Sequence, residues 1–212
     1  MKIALVGASG NIGREIARQA LQRGHQVTAI VRPGGALPAS LADLPTAVAV
    51  LDDPATLAQA IADHDVLASA YGPRPGTPTE SIGAVAGSLA QAAHQAGIAR
   101  LVVVGGAGSL EVAPGVQLVD SPDFPEAYKP YALAHRAALQ VLQQHNKLEW
   151  TFLAPAAEIG PGPQKGGYRT QASALLTDAS GHSAISYADY AAAFLDEIER
   201  PQYVRQIATV AY

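Results

Sequence analysis

At 212 residues the chain is long enough for one substantial hydrophobic core. Apolar residues make up 49%, charged residues only 15%, and the net charge is −4, so there is no basic footprint for nucleic acid. The chain has no cysteine, which excludes a disulfide framework, a thiolate nucleophile and a cysteine-ligated metal.

Lys2 to Val6 reads as a short buried strand. Gly7, Gly10 and Gly13 follow it. Ile12, Ile16, Ala17, Ala20 and Leu21 then recur at helical spacing. The glycines therefore sit on a strand-to-helix turn. Gly7 suits the tight turn, Gly10 lets the backbone approach a phosphate, and Gly13 lets helix and strand pack closely. Free N–H groups at the helix start would hold a pyrophosphate. With a second strand at Gln26 to Val31, this is the pattern of dinucleotide binding.

That second strand ends at Arg32, with no acid between Gln26 and Ala42. An NAD site usually offers Asp or Glu here to the ribose 2′-OH. A guanidinium suits a 2′-phosphate, so NADP is favoured over NAD. Arg14 is read as a helix-surface charge. Thr46 to Leu51 is a third strand, which places Asp52 beside the adenine and lets Asp53 cap a short helix over residues 54–62, with Pro54 at its first position. A solvated turn explains both acids equally well. His64 to Ala70 is strand four. Ala70, Gly72 and the Pro-rich loop 72–79 lie at its carboxyl end, where ligand sites form in open α/β sheets.

Glu80 to Gln95 is a helix ended by Gly97, and Arg100 to Val104 is strand five. The glycines at 105, 106 and 108 suit close approach of backbone to a nicotinamide ring or substrate. Ser109 is not in a nucleophile-elbow context. Residues 105–127 and 155–170 are expected to be long site-edge loops. Between them lie a helix from Pro130 to about Asn146 and strand six, Glu149 to Leu153. Ala184 to Ser186 and Ile207 to Val210 are short late strands flanking a helix, Tyr187 to Glu199, capped by Ser186. Asp189 is read as a structural acceptor. Tyr168 and Arg169 are candidates to grip an anionic substrate, against a default of solvated loop. The six histidines show no metal-binding constellation. No boundary or repeat appears, so residues 1–212 are read as one domain. The chain shows no signal-peptide pattern and no apolar run of membrane length, so a soluble cytoplasmic protein with no nucleic-acid or membrane partner is expected. The sequence is silent on oligomeric state.

Gly7, Gly10 and Gly13 opening a helix, Val31 and Arg32 ending strand two, Leu51 and Asp52 ending strand three, and Leu153 to Pro155 ending strand six resemble the atypical short-chain dehydrogenase/reductase superfamily. The resemblance is to its NAD(P)H-binding proteins grouped as NmrA-like and as flavin reductase/biliverdin-IXβ reductase-like. It spans the whole chain. It implies a doubly wound, mostly parallel α/β sheet with strand order 3-2-1-4-5-6. It also implies that Ser9, Asn11 and Ile12 touch the pyrophosphate, that Arg32 meets the 2′-phosphate, and that Gly105 and Pro155 lie near the nicotinamide.

The chain departs from the superfamily's Tyr-x-x-x-Lys pair. Tyr128 is followed four residues later by Ala132, and Tyr131 by His135. Two accounts stay open. Tyr131 and His135 form a substitute acid pair assisted by Ser109, or Tyr131 packs inward while His135 faces solvent. The apolar stripe Tyr131, Ala134, Ala138, Val141 and Leu142 favours the second. In that case the expected activity is NADPH-dependent hydride transfer to a flat conjugated acceptor such as a flavin or quinone, with solvent supplying the proton. A non-catalytic NADP-binding regulator is the alternative. A sugar-nucleotide epimerase or dehydratase is disfavoured by the missing lysine.

Overall fold

The structure, a computed structural model, describes residues 1–73 and 76–212. The expected 72–79 loop therefore falls partly outside the described residues. In chain order the elements are β1 (Lys2–Val6), α1 (Asn11–Gln22), β2 (Gln26–Val31), β3 (Thr46–Val48), α2 (Pro54–Ile61), β4 (Val66–Ser69), α3 (Ser81–Gln95) and β5 (Arg100–Val104). Then come β6 (Glu111–Ala113), β7 (Val116–Gln117), α4 (Lys129–Gln143), β8 (Glu149–Pro155), β9 (Glu158–Gly160), β10 (Arg169–Ala172), β11 (Ala184–Ser186), α5 (Tyr187–Glu199) and β12 (Gln206–Ala211).

The central sheet runs β10-β12-β8-β5-β4-β1-β2-β3. Every pairing in it is parallel except β10 with β12. The expected order of the first six strands is therefore present, and β12 and β10 extend it beyond β8. Alternation on β1 builds the two faces of the sheet. Ile3 and Leu5 join one buried cluster with Ile16, Ala17, Tyr190 and Phe194 of α1 and α5. Ala4 and Val6 join the other, with Leu57, Ile61, Leu89 and Leu142 of α2, α3 and α4. Helices on both faces explain why the inner strands carry unbroken apolar runs.

Register brings the strand ends level. Val6 pairs with Ile30 of β2 and Ser69 of β4, and Val104 of β5 pairs with Leu153 of β8. The segments after β1, β2, β4, β5 and β8 thus emerge along one edge. Two expected loops contain structure. Within 105–127, β6 and β7 form a hairpin turned at Pro114 and Gly115, whose φ is +74°. Within 155–170, β9 pairs in parallel with β11, away from the main sheet. Strands this short leave no periodic signal.

Candidate functional site

The β1–α1 turn is built from contacts that only glycine permits. Gly7 has φ +82°, and a methyl group there would lie 2.4 Å from the Ala70 carbonyl oxygen. A methyl group at Gly13 would lie 2.1 Å from the Gly7 carbonyl oxygen. Gly13 is buried and holds α1 against the turn. Gly10 donates its N–H to the Gly7 oxygen at 3.0 Å. It caps α1 with no side-chain bond, and no acid stands in the first turn. The helix start is therefore a set of N–H groups with the positive end of the helix dipole, facing the cleft bordered by Gly7, Ser9, Gly10, Asn11 and Ile12. This cradle fits a dinucleotide pyrophosphate. Arg14 donates to Asn11 Oδ1 at 2.7 Å, along the helix surface.

The cleft continues to the ends of β2 and β3. Arg32 borders it, exposed, at a turn closed by Gly35 N–H on the Arg32 oxygen at 2.8 Å. Its guanidinium makes no side-chain bond or ion pair among the described residues. Asp52 borders the same end and is exposed. Asp53 caps α2, accepting from the N–H groups of Ala55 at 3.0 Å and Thr56 at 3.4 Å.

At the other end the walls are Ala70 and Gly72, the Gly105–Gly108 turn, and the segment from Pro155 to Gly160. Phe124, Tyr128, Tyr131 and Tyr187 rim this end. The whole cleft encloses about 2040 Å³. A pocket for one drug-sized ligand holds roughly 300–1,000 Å³, so this open cleft exceeds what one such ligand fills.

The structure corrects the expected arrangement of α4. Tyr131 is 46% exposed and His135 is half-buried, and both border the cleft. The cause is the turn after β5. A methyl group at Gly108 would meet Ala132 Cβ at 2.6 Å, and one at Gly106 would meet His135 Cβ at 2.9 Å. The glycine turn lies flat on that side of the helix, and Tyr131, one position earlier, rotates out over the cleft. The His135 ring packs edge-on against Phe152, with centroids 6.2 Å apart. Its Nδ1 is buried without a partner. Burial pushes its pKa down to about 4. The imidazole is therefore neutral at pH 7. Its proton belongs on Nε2, because an N–H at Nδ1 would be buried unpaired.

Ser109 points the other way. It is 2% exposed, its Oγ has no partner, and it does not border the cleft, so it has no route to a bound acceptor. Tyr168 and Arg169 do not border the cleft either. Tyr168 donates to Asp196 at 2.6 Å, and Arg169 donates to the carbonyls of Thr177 and Tyr212. They tie β10 down rather than grip an anion. Asp189 is the structural acceptor the sequence suggests. Fully buried, it accepts from Lys165 N–H and Gly166 N–H, both at 2.9 Å, and from the Tyr212 hydroxyl at 2.7 Å. Among the described residues, no three His, Asp or Glu side chains stand together as a metal site.

The NAD(P)H-binding family model matches residues 7–201. The chain belongs to this NAD(P)H-binding family. This membership fits the atypical short-chain dehydrogenase/reductase, NmrA-like class. Among curated proteins, "Uncharacterized protein YwnB" of Bacillus subtilis is 41% identical over 99% of this chain and 98% of its own length. A crystal structure named "Putative exported protein", from Burkholderia pseudomallei, is 51% identical with TM-score 0.91 over 100% of both chains. A "putative NADH-flavin reductase" from Streptococcus pneumoniae is 33% identical with TM-score 0.86, over 100% of this chain and 99% of that one. No helix among the described residues is long and apolar enough to cross a membrane. Sequence reasoning missed Phe124, Tyr128, Glu158 and Tyr187 as cleft residues. Only Tyr187 carried a local signal, since it directly follows the Ser186 cap at the edge of the expected site.

Proposed function

We propose that this member of the NAD(P)H-binding family is an NADPH-dependent oxidoreductase that reduces a flat conjugated acceptor such as a flavin or a quinone. The observation that carries the reading is the pair on α4. Tyr131 borders the cleft, but the residue four positions on is a neutral histidine, not a lysine. No ammonium stands there to stabilise a phenolate or hold a ribose. The proton relay of a carbonyl reductase is thus not supported.

A flavin or quinone does not need that relay. The acceptor takes a hydride from the bound dinucleotide, which becomes NADP⁺, and one proton from water. The chain's own work is positioning. Gly10 and the first turn of α1 hold the pyrophosphate, and Asp52 lies at the adenine end. Arg32, which meets no other side chain among the described residues, would hold the 2′-phosphate through its guanidinium. Gly105, held against the Phe152 ring, and Pro155 present backbone to the cleft where a ring would stack, and the aromatic rim covers the acceptor. His135 offers one Nε2–H to a carbonyl or ring nitrogen. The flavin reductase name of the Streptococcus protein supports the acceptor class. Its name says NADH, and Arg32 is the reason for preferring NADPH here. Cytoplasmic residence belongs to the same proposal, since the reduced dinucleotide is held there.

The test is calorimetric binding of NADPH and NADH together with NADPH oxidation in the presence of FMN, riboflavin and a simple quinone. Tight NADPH binding with turnover supports the reading. Tight binding with no turnover on any flat acceptor contradicts it and moves the weight to a cofactor-binding regulator.

A further inference from the structure

The acceptor end of the cleft has a distinctive charge. Among the described residues that border it, the side chains charged at pH 7 are Asp123, on the segment before α4, and Glu158, on β9. Both are exposed, and both are negative. The nearest basic side chains on α4 are already paired. Lys129 meets Glu126 at 2.9 Å, and Arg136 meets Asp120 at 2.6 Å. Arg32 is the one described cation bordering the cleft, and it stands at the end of β2. Four strand spacings separate β2 from β8 in the sheet, roughly 19 Å at about 4.8 Å each. That exceeds the Debye length of about 8 Å at physiological salt, so Arg32 does not offset charge at the far end. His135 is uncharged at neutral pH. The rest of the lining there is uncharged, with an aromatic rim of Phe124, Tyr128, Tyr131 and Tyr187.

We infer that the acceptor taken at this end is an uncharged planar ring system, a neutral flavin or quinone, rather than a flavin carrying a phosphate. The ring faces of the rim accept any flat conjugated molecule. Asp123 and Glu158, both bordering the cleft, then repel a phosphate tail leaving the ring. Repulsion against the wrong ligand is how an open, apolar site gains selectivity without new attractive contacts. The inference rests on the reductase reading and narrows its substrate class.

Riboflavin and FMN carry the same isoalloxazine and differ by one phosphate, so their ratio isolates the charge. Two measurements are made on the full chain: kcat/KM for each flavin with NADPH, and each flavin's Kd for the NADP⁺-loaded protein from flavin fluorescence. At low salt riboflavin is expected to exceed FMN by roughly tenfold in both, because like charges brought together at a site cost affinity. High salt should shrink the ratio. In the double variant Asp123→Asn, Glu158→Gln the ratio should fall toward one. A ratio of one or below in the wild type, or a ratio that the double variant leaves unchanged, overturns the inference. Arg74 lies outside the described residues. Should its charge serve a phosphate, the wild-type ratio reports it as that overturning result. If neither flavin turns over but riboflavin still binds more tightly, the charge selectivity stands and the reductase reading falls.

Discussion

The neutrality of His135 is a claim about proton binding, so it has a consequence for stability. Burial lowers its pKa from 6.5 to about 4. Between those values the unfolded chain takes up a proton that the folded chain refuses. The unfolded state then binds more protons, and stability must fall as the pH is lowered through that window. At about 1.4 kcal/mol per pH unit, the gap amounts to roughly 3 kcal/mol, a large share of the ~5–15 kcal/mol typical of a domain. The loss begins near pH 6.5 and is complete near pH 4, below which both states are protonated. Urea unfolding at a series of pH values measures it, with wild type compared against His135→Gln, which cannot titrate. The glutamine loses ring packing on Phe152, so its absolute stability falls. The readout is therefore the difference in pH dependence, and His135→Leu repeats it with a second shape. Wild type should lose about 3 kcal/mol more than either variant between pH 7 and 4. Parallel curves would refute the buried, neutral imidazole and restore a protonatable partner for Tyr131.

The glycine turn gives a contrast within one motif. Gly13→Ala drives a methyl into the Gly7 carbonyl at 2.1 Å, backbone against backbone, and should destabilise the fold by roughly 1–3 kcal/mol in thermal or urea unfolding. Gly10→Ala meets its nearest atom at 3.4 Å, so the fold should survive while calorimetric dinucleotide affinity drops, because the methyl intrudes where the pyrophosphate approaches. Equal effects of both on stability would show that Gly10 is structural. Arg32→Ala should weaken NADPH by about 10–150-fold, the 1.5–3 kcal/mol of a charge-assisted bond, and leave NADH nearly unchanged. Equal loss of both would remove the 2′-phosphate role. Asp189→Ala removes the acceptor for Lys165, Gly166 and Tyr212 and should cost about 3 kcal/mol or more in unfolding free energy. Burial pushes the Asp189 carboxyl up, but those donors outweigh it and hold it below 3.8. Its contribution is therefore present at neutral pH and lost as the pH falls through the folded-state value, so the gap between variant and wild type should close in acid.

What the sequence made legible was whatever local backbone chemistry decides. Three glycines at fixed spacing after an apolar strand identify the β1–α1 turn, because no side chain fits at Gly7 or Gly13. Asp53 before Pro54, and Ser186 two residues before Ala188, are caps that depend only on their neighbours. Arg32 drew attention because no acid stands beside it, and it does border the cleft; its partner there is a proposal. The interior of α4 was not readable in this way. Adjacent helix positions differ by about 100°, so a stripe starting at Tyr131 and one starting at Ala132 look alike. The choice is made by the Gly106–Gly108 turn pressing on the helix, a contact between distant segments. Ser109 turned inward for the same reason. Glu158 and Tyr187 reach the cleft through the β9–β11 pairing, which joins segments far apart in sequence and too short to show a period.

The central claim is that hydride transfer here needs position and not a side-chain proton relay. Steady-state NADPH oxidation with riboflavin by wild type and Tyr131→Phe tests it most directly. The expected result is robust turnover, with kcat changed by less than about tenfold in the variant, since removing a general acid typically costs ~10²–10⁴. A loss of kcat in that larger range, with NADPH affinity retained, would contradict the claim and make Tyr131 the acid.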